Sequence, residues 1–445
     1  MTAEPVRPSP PPVPPAPPSP TGTAATGTTP TGPAPGGGTG SLKRLADVDA
    51  LRGVALFGIL MVNIPFFASG YTLLDVPDPA RDAWHDHLAS GVVELLFQSK
   101  FYLLFAFLFG YSFTLQLDSA AARGHSFRPR FLRRLGGLFL IGAANAVLLF
   151  YGDILITYAV LGLVLFFLRG ISPRTALRTA GIITGAIVFL MLALGVVVAV
   201  FDDSSVTLTA AQRAAELAEG RETTEAMRGG FLSVLGERVS TLPLTIPLTL
   251  FFQGPLAFSA FLAGLAAGKR RVLDHTAAPD PERYRRRLRT LQYVGFPVGL
   301  AGSAAVVLAG SDNLLASAAL FGTAPFLTAA YVATLLRVFR TRRGGRFAEV
   351  LARPGRMALT NYLSQSLLCG LIFTGMGLGL VGRVPYAGVI GVALAIFAVQ
   401  VVWSAWWMRR FRMGPVEWVL RGITHLERPA LRIARPAPGA GAATP

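Results

Sequence analysis

Three polar residues stand in or beside long apolar stretches: Asn63, Lys100 and Asp153. An ionisable group there costs about 2.5–3.5 kcal/mol on insertion scales, so each needs a reason to persist. A lysine, a carboxylate and an amide at one depth make a proton-transfer site. His85 and His87 stand two apart in the polar segment between the first two apolar runs, and imidazole is the natural general base near neutral pH. These five residues form the candidate catalytic set. A structural account competes with it: Lys100 snorkels, Asp153 caps the helix that follows, and Asn63 bridges helices.

A second polar set lies at the other ends of the apolar runs. Asp49 and Arg52, just before Gly53, share a helix face and can pair. Asn361 and Gln365, in Gly355-Arg356-Met357-Ala358-Leu359-Thr360-Asn361-Tyr362-Leu363-Ser364-Gln365, share one stripe, which must face protein rather than lipid. In Gly414-Pro415-Val416-Glu417-Trp418, Pro415 suits the first position of a helix and Glu417 its first turn, with Arg421 one turn further. The chemical account is a mouth where Arg52, Arg356, Asn361, Gln365 and Arg421 receive an anionic ligand. The structural account is a clasp of helix ends built from Asp49, Gly53, Tyr362, Glu417 and Trp418.

The elements that must position these residues follow from hydropathy. Of 445 residues, 52% are hydrophobic and only 15% charged, where a soluble chain has about a quarter charged. Thr179 to Phe201 is one of several runs without a charge. Roughly 20 such residues cross the hydrocarbon layer as a helix, because lipid cannot satisfy a stray backbone amide. The pattern predicts an all-α bundle of ten transmembrane spans at 51–69, 97–117, 133–151, 153–168, 178–201, 242–267, 290–310, 313–336, 357–380 and 386–408. On that count 34 of the 41 Lys+Arg fall on one side, which predicts both termini in the cytoplasm.

The net charge of +17 does not imply nucleic acid, because the arginines sit in short loops between apolar runs. Topology accounts for them, with attraction to anionic lipid or a phosphate-rich cofactor as the alternative. The lone Cys369 forms no intramolecular disulfide, and no Cys/His spacing suits a metal. Residues 1–42 and 429–445 read as disordered arms. Residues 43–428 form the membrane domain, with halves at 43–240 and 241–428. An amphipathic helix is expected from Thr209 to Met227. Gly375 to Gly379 is expected to allow close helix approach. Phe251-Phe252-Gln253, with Gly264 beyond it, faintly echoes Leu96-Phe97-Gln98 and Gly110, as a parallel duplication would.

Asp49-x-x-Arg52-Gly53, Lys100-Phe101, Gly152-Asp153-Ile154-Leu155, the Gly355–Gln365 segment and Gly414–Trp418 occur in one order from about residue 43 to 428. Together they resemble the YeiB-like bacterial integral membrane proteins, whose C-terminal half is known as a domain of unknown function. The N-terminal half is distantly similar to membrane acyltransferases of the heparan-α-glucosaminide N-acetyltransferase type. That resemblance implies a bacterial cytoplasmic membrane protein that moves an acyl group from acetyl-CoA or another acyl-CoA to an extracytoplasmic acceptor, without a metal. Asn63 follows the first-span motif as an asparagine does in those enzymes, and His85 or His87 is nearest to their catalytic histidine. A small-molecule transporter or exporter and a non-catalytic scaffold are the alternatives. A homodimer is left open.

Overall fold

Lipid leaves an apolar chain little choice but closed helices, and helices are what the chain forms. A computed structural model describes residues 38–74, 76–122, 124, 126–201, 210–274 and 280–433. The disordered arm expected before residue 43 lies almost wholly outside them, as do His125 and His275. The helices are α1 (Gly38–Ala68), α2 (Trp84–Leu96), α3 (Lys100–Ala122), α4 (Phe127–Leu148), α5 (Leu155–Phe167), α6 (Pro173–Phe201), α7 (Ala210–Arg228), α8 (Phe231–Leu248), α9 (Gly254–Lys269), α10 (Pro281–Ala309), α11 (Leu314–Val338), α12 (Arg342–Arg356), α13 (Ala358–Phe373), α14 (Tyr386–Trp407) and α15 (Pro415–His425).

Among the described residues, eight stretches are long and apolar enough to cross a membrane, and α5 and α13 are shorter apolar helices. The ten segments expected from hydropathy fall on these eight stretches and two short helices. This is an all-α membrane protein. The amphipathic segment expected after residue 209 is α7.

Two expected spans differ in detail. The stretch at 242–267 is α8 and α9 joined through a π-helical turn at Thr249–Gln253, after Pro243 and Pro247 remove two amide donors from α8. The span at 357–380 ends early, because α13 stops at Phe373. The glycines of 375–379 are spent on a turn instead of a helix contact. A Cβ on Gly375 would stand 2.1 Å from the carbonyls of both Arg228 and Gly229. Its own amide donates to Met227 at 2.8 Å. The tail expected from 429 begins with a bonded stretch: the Arg412 amide donates to the Leu431 carbonyl at 2.9 Å.

The faint echo has a physical counterpart. α3 and α9 lie side by side, and their glycines are reciprocal. A Cβ on Gly110 would reach the Phe261 carbonyl at 2.1 Å, and one on Gly264 would reach the Phe107 carbonyl at 2.1 Å. Leu103 clusters with Leu256 at one end of the pair, and Thr114 meets Gly268 at the other, so the helices run parallel. Their neighbours repeat the relation: α2 packs on α10 as α8 packs on α4, and α3 on α11 as α9 on α5. The two sets differ where it matters. α10 and α11 close tightly through Gly295, Gly299 and Gly302, whereas α4 and α5 leave room beside α3.

The glycine contacts give a direct prediction. G110A and G264A each force backbone apart in a packed interface, a cost of about 1–3 kcal/mol. Their thermal unfolding midpoints in detergent should fall by several degrees. G136A, whose Cβ meets nothing within 4 Å, should be neutral or slightly stabilised.

Candidate functional site

Three of the family-like motifs, Asp49–Gly53, Gly355–Gln365 and Gly414–Trp418, meet at one end of the bundle. Arg52 donates to Asp49 at 2.6 Å and to the Ser112 hydroxyl of α3 at 2.5 Å. Gly53 lets α1 close on α12, since a Cβ there would lie 2.2 Å from the Leu351 carbonyl. Gly355 does the same from α12, with the Asp49 carbonyl 1.8 Å from its ideal Cβ. Arg356, at the end of α12, is exposed and reaches the Arg412 carbonyl at 3.5 Å.

Glu417 closes the arrangement. In the sequence it stands in the first turn of its own helix, one turn before Arg421; in the structure it also caps a different helix. Its Oε1 accepts from the Leu359 and Thr360 amides at 2.7 and 3.1 Å, and its Oε2 from the Thr360 hydroxyl at 2.5 Å. Thr360 in turn accepts from the Val416 amide at 3.1 Å. The N-termini of α13 and α15 thus cap each other, a reciprocal use of free helix-end donors. Burial raises the pKa of the Glu417 carboxyl, against the pull of these bonds.

Between these elements lies a cavity of about 920 Å³. Its open end carries Arg52, Arg130, Arg134, Arg271, Arg356 and Arg421, with His425. Burial and the charges of Arg130 and Arg421 hold the His425 imidazole below its ordinary pKa. Along α3 the lining changes from Ser119, Gln116 and Ser112 to Phe109, Leu108 and Phe105. From Ser119 to Phe105 is about 21 Å at helical rise. The far end is closed by Ile154, Leu155, Tyr158 and Tyr362.

Behind that end sits Asp153, buried at the α4–α5 hairpin. Its Oδ1 accepts from the Leu155 and Ile156 amides at 2.7 and 3.2 Å. Its Oδ2 accepts from Asn145 Nδ2 at 2.6 Å and from the Tyr362 hydroxyl at 3.3 Å. Gly142 makes room for it, since a Cβ there would lie 3.0 Å from Oδ1. Asp153 therefore caps α5, as the structural account expects, and it also touches a side chain that lines the cavity.

The residues singled out in the sequence separate into groups. Arg52, Arg356 and Arg421 line the cavity. Asn361 and Gln365, expected to bind the same ligand, are instead spent on α14. Asn361 donates to the Pro354 carbonyl and to Ser404, and Gln365 donates to Gln400 at 2.9 Å. Gln400 returns bonds to the Asn361 carbonyl and Ser364. The stripe does face protein, because the two amides on α13 are satisfied by Ser404 and Gln400 of α14 and by the Pro354 carbonyl of α12. Trp418 donates to the Pro429 carbonyl at 2.8 Å and fixes the start of the tail.

Lys100 does not snorkel. It is fully buried, and its Nζ donates to the Glu94 carbonyl at 3.0 Å. Its own carbonyl accepts from Thr328 at 3.1 Å. Asn63 is half-buried on α1. His85 and His87 are exposed near the start of α2, with His87 Nε2 3.1 Å from Asp82 Oδ1. None of these four lines the cavity, so the five catalytic candidates do not form one cluster. Arg130 and Arg134, four apart on α4, also line the cavity, and their spacing puts them on one face. Asn145 was a further signal, an amide within an apolar run eight residues before Asp153.

An all-α membrane protein with a deep basic cavity is thus the class that fold and site define. The chain belongs to the YeiB-like family. It is 35% identical over 400 residues to "Uncharacterized protein YxaH" of Bacillus subtilis (strain 168), covering 86% of this chain and 95% of that one. It is 27% identical over 417 residues to "Uncharacterized protein YeiB" of Escherichia coli (strain K12), covering 89% and 98%. Residues 269–427 match the family described as "Protein of unknown function (DUF418)". No solved structure matches the chain.

The reciprocal cap makes a stability prediction. E417A should cost about 1–2 kcal/mol, the usual loss of a helix cap. E417Q, which keeps an acceptor for the two amides, should cost less. Thermal unfolding in detergent separates the two.

Proposed function

We propose that this protein is a membrane acyltransferase of the bacterial cytoplasmic membrane. It takes an acyl group from a cytoplasmic CoA thioester and gives it to an extracytoplasmic hydroxyl or amine. The single observation carrying this reading is the cavity, where six arginines meet at one end and an apolar, tyrosine-closed wall lies at the other. Its volume suits a large ligand, near the top of the range of about 300–1,000 Å³ for small-molecule sites. Guanidinium groups bind phosphate oxygens bidentately, and CoA carries three phosphates on a long, thin, mostly uncharged arm. In this reading the arginine end faces the cytoplasm, in keeping with the positive-inside rule.

The chain's own groups have separate tasks. Arg52, Arg130, Arg356 and Arg421 hold the phosphates. Ser112 and Gln116 face the arm. Thioesters are already activated, so proximity and proton handling suffice. Asp153 takes the acceptor's proton as the new C–O or C–N bond forms. Tyr362 protonates the departing sulfur as the C–S bond breaks, and regains its proton from Asp153 through their hydrogen bond. Asn145 holds the carboxylate in place. Lys100 and Asn63 serve the packing of the bundle, and His85 and His87 lie too near the surface to reach the thioester.

One observation favours a second reading. The parallel relation of α2–α5 to α8–α11 is of a kind found in some transporters. A carrier of anionic amphiphiles would use the same basic cavity without making a covalent product.

Two measurements bear on this. Acetyl-CoA should bind the purified protein, and R356A or R421A should weaken it about tenfold, the loss of roughly one charge-assisted contact. Absence of binding up to millimolar concentration would remove the acyltransferase reading. Y362F should leave acetyl-CoA affinity unchanged and slow acyl transfer by about 10²-fold or more, the scale of lost acid–base catalysis. An unchanged rate would exclude Tyr362 from the proton path.

A further inference from the structure

Independently of the acyl-transfer reading, we infer that α12 lies in the plane of the membrane surface and that its outer stripe binds the headgroup of an anionic phospholipid. The helix carries five arginines and one glutamate in 15 residues. A helix so charged would ordinarily stand clear of the bilayer. Its contacts hold it instead at the depth of the span ends.

Two contacts fix that depth. The apolar stretch of α1 begins at Ala46, and α12 meets α1 at Gly53, whose Cβ would lie 2.2 Å from the Leu351 carbonyl. Gly53 is seven residues, or about 10 Å, inside that stretch. On the other side, Asn361 Nδ2 donates to the Pro354 carbonyl at 3.1 Å and to the Ser404 hydroxyl at 3.0 Å. Ser404 precedes the end of the Tyr386–Trp407 span by three residues. Trp403 and Trp406 are exposed on the same turn of α14, where interfacial aromatics belong. The part of α12 that its neighbours leave uncovered therefore meets the edge of the bilayer.

The faces of α12 are unlike. Gly344, Ala348, Leu351, Ala352 and Gly355 are buried and form the inner stripe. Phe347 and Val350 are exposed, and with Pro354 they make a second stripe at i, i+3 and i+7. That stripe begins beside α14, at the residue whose carbonyl shares Asn361 with Ser404. Arg343 stands four residues before Phe347 and Arg346 four before Val350, and both arginines are exposed. Each lies one turn along from an apolar neighbour. Phe347 and Val350 bury apolar area if they enter the acyl boundary. The guanidinium groups beside them stay out of hydrocarbon and extend to the phosphates, which they grip with paired N–H donors. The positive balance of the helix selects an anionic headgroup over a zwitterionic one. Neither arginine lines the basic cavity, so this ligand is separate from the one held there.

The test uses the full-length protein in lipid nanodiscs, with a bimane fluorophore on V350C or, in a second variant, on E349C. Native Cys369 is buried, so background labelling is low. Quenching is read with brominated phosphatidylglycerol or brominated phosphatidylcholine, each diluted into plain phosphatidylcholine. Both lipids should quench bimane at V350C. Phosphatidylglycerol should reach half-maximal quenching at a mole fraction at least tenfold lower, on roughly fivefold for each arginine. R343A/R346A should abolish that difference. Glu349 is exposed about 100° round the helix from Val350, so bimane at E349C should be quenched at least threefold less by either lipid. Equal quenching of V350C by the two lipids would overturn the anionic site. No quenching by either would put α12 in water and overturn the inference whole, and so would a preference that survives R343A/R346A. The V350C comparison alone decides the first two outcomes, even if R343A/R346A fails to fold. None of these results depends on whether acetyl-CoA binds.

Discussion

A helix that begins inside a membrane protein leaves amides that lipid cannot satisfy. Here three carboxylates accept from three such starts, one locally and two from distant elements. Asp86 of α2 accepts from the Tyr386 amide at 2.6 Å at the head of α14. Asp153 accepts from the first amides of α5, and Glu417 of α15 from those of α13. Each pays the cost of burying a charge by meeting the positive end of a helix. Asp86 and Glu417 also fix one element of the bundle against another distant in sequence. Remove these contacts and the short helices α5 and α13, too brief to rely on length, lose what sets their depth.

The same contacts build the site. Glu417 brings α15 over the basic cavity, and Asp153 sets the hairpin that closes it. Arg52 reaches that cavity because Gly53 and Gly355 allow α1 and α12 to touch backbone to backbone. The parallel α3–α9 pair packs backbone to backbone through Gly110 and Gly264, and the basic cavity lies on the side of α3 that faces α4 and α5.

Much of this is legible in the sequence, for identifiable reasons. The helices are, because a charge-free run in lipid has one solution. The Asp49–Arg52 pair and the position of Pro415 are, because both are local. The roles of Asn361 and Gln365 are only half legible: periodicity puts them on a protein-facing stripe but cannot say that Ser404 and Gln400 wait there. The burial of Lys100 depends on Thr328 and Tyr331, more than 200 residues away, and Tyr331 donates to the Leu96 carbonyl just before it. No local pattern carries that. Arg130 and Arg134 are not legible as a ligand stripe, since basic segments beside a span report topology in the same residues. The glycines at 375–379 are legible as unusual and not as a turn, because the carbonyls that Gly375 packs on belong to the distant α7–α8 corner.

In the proposed function an acyl carrier lies in the basic cavity, phosphates among the arginines and thioester beside Tyr362. A structure of the protein in a lipid nanodisc with a non-hydrolysable acetyl-CoA analogue tests this most directly. The account predicts density for the diphosphate between Arg52, Arg130, Arg356 and Arg421, with the acyl end against Tyr362 and Asp153. A cavity filled by lipid, with the analogue elsewhere or absent at saturating concentration, would contradict it.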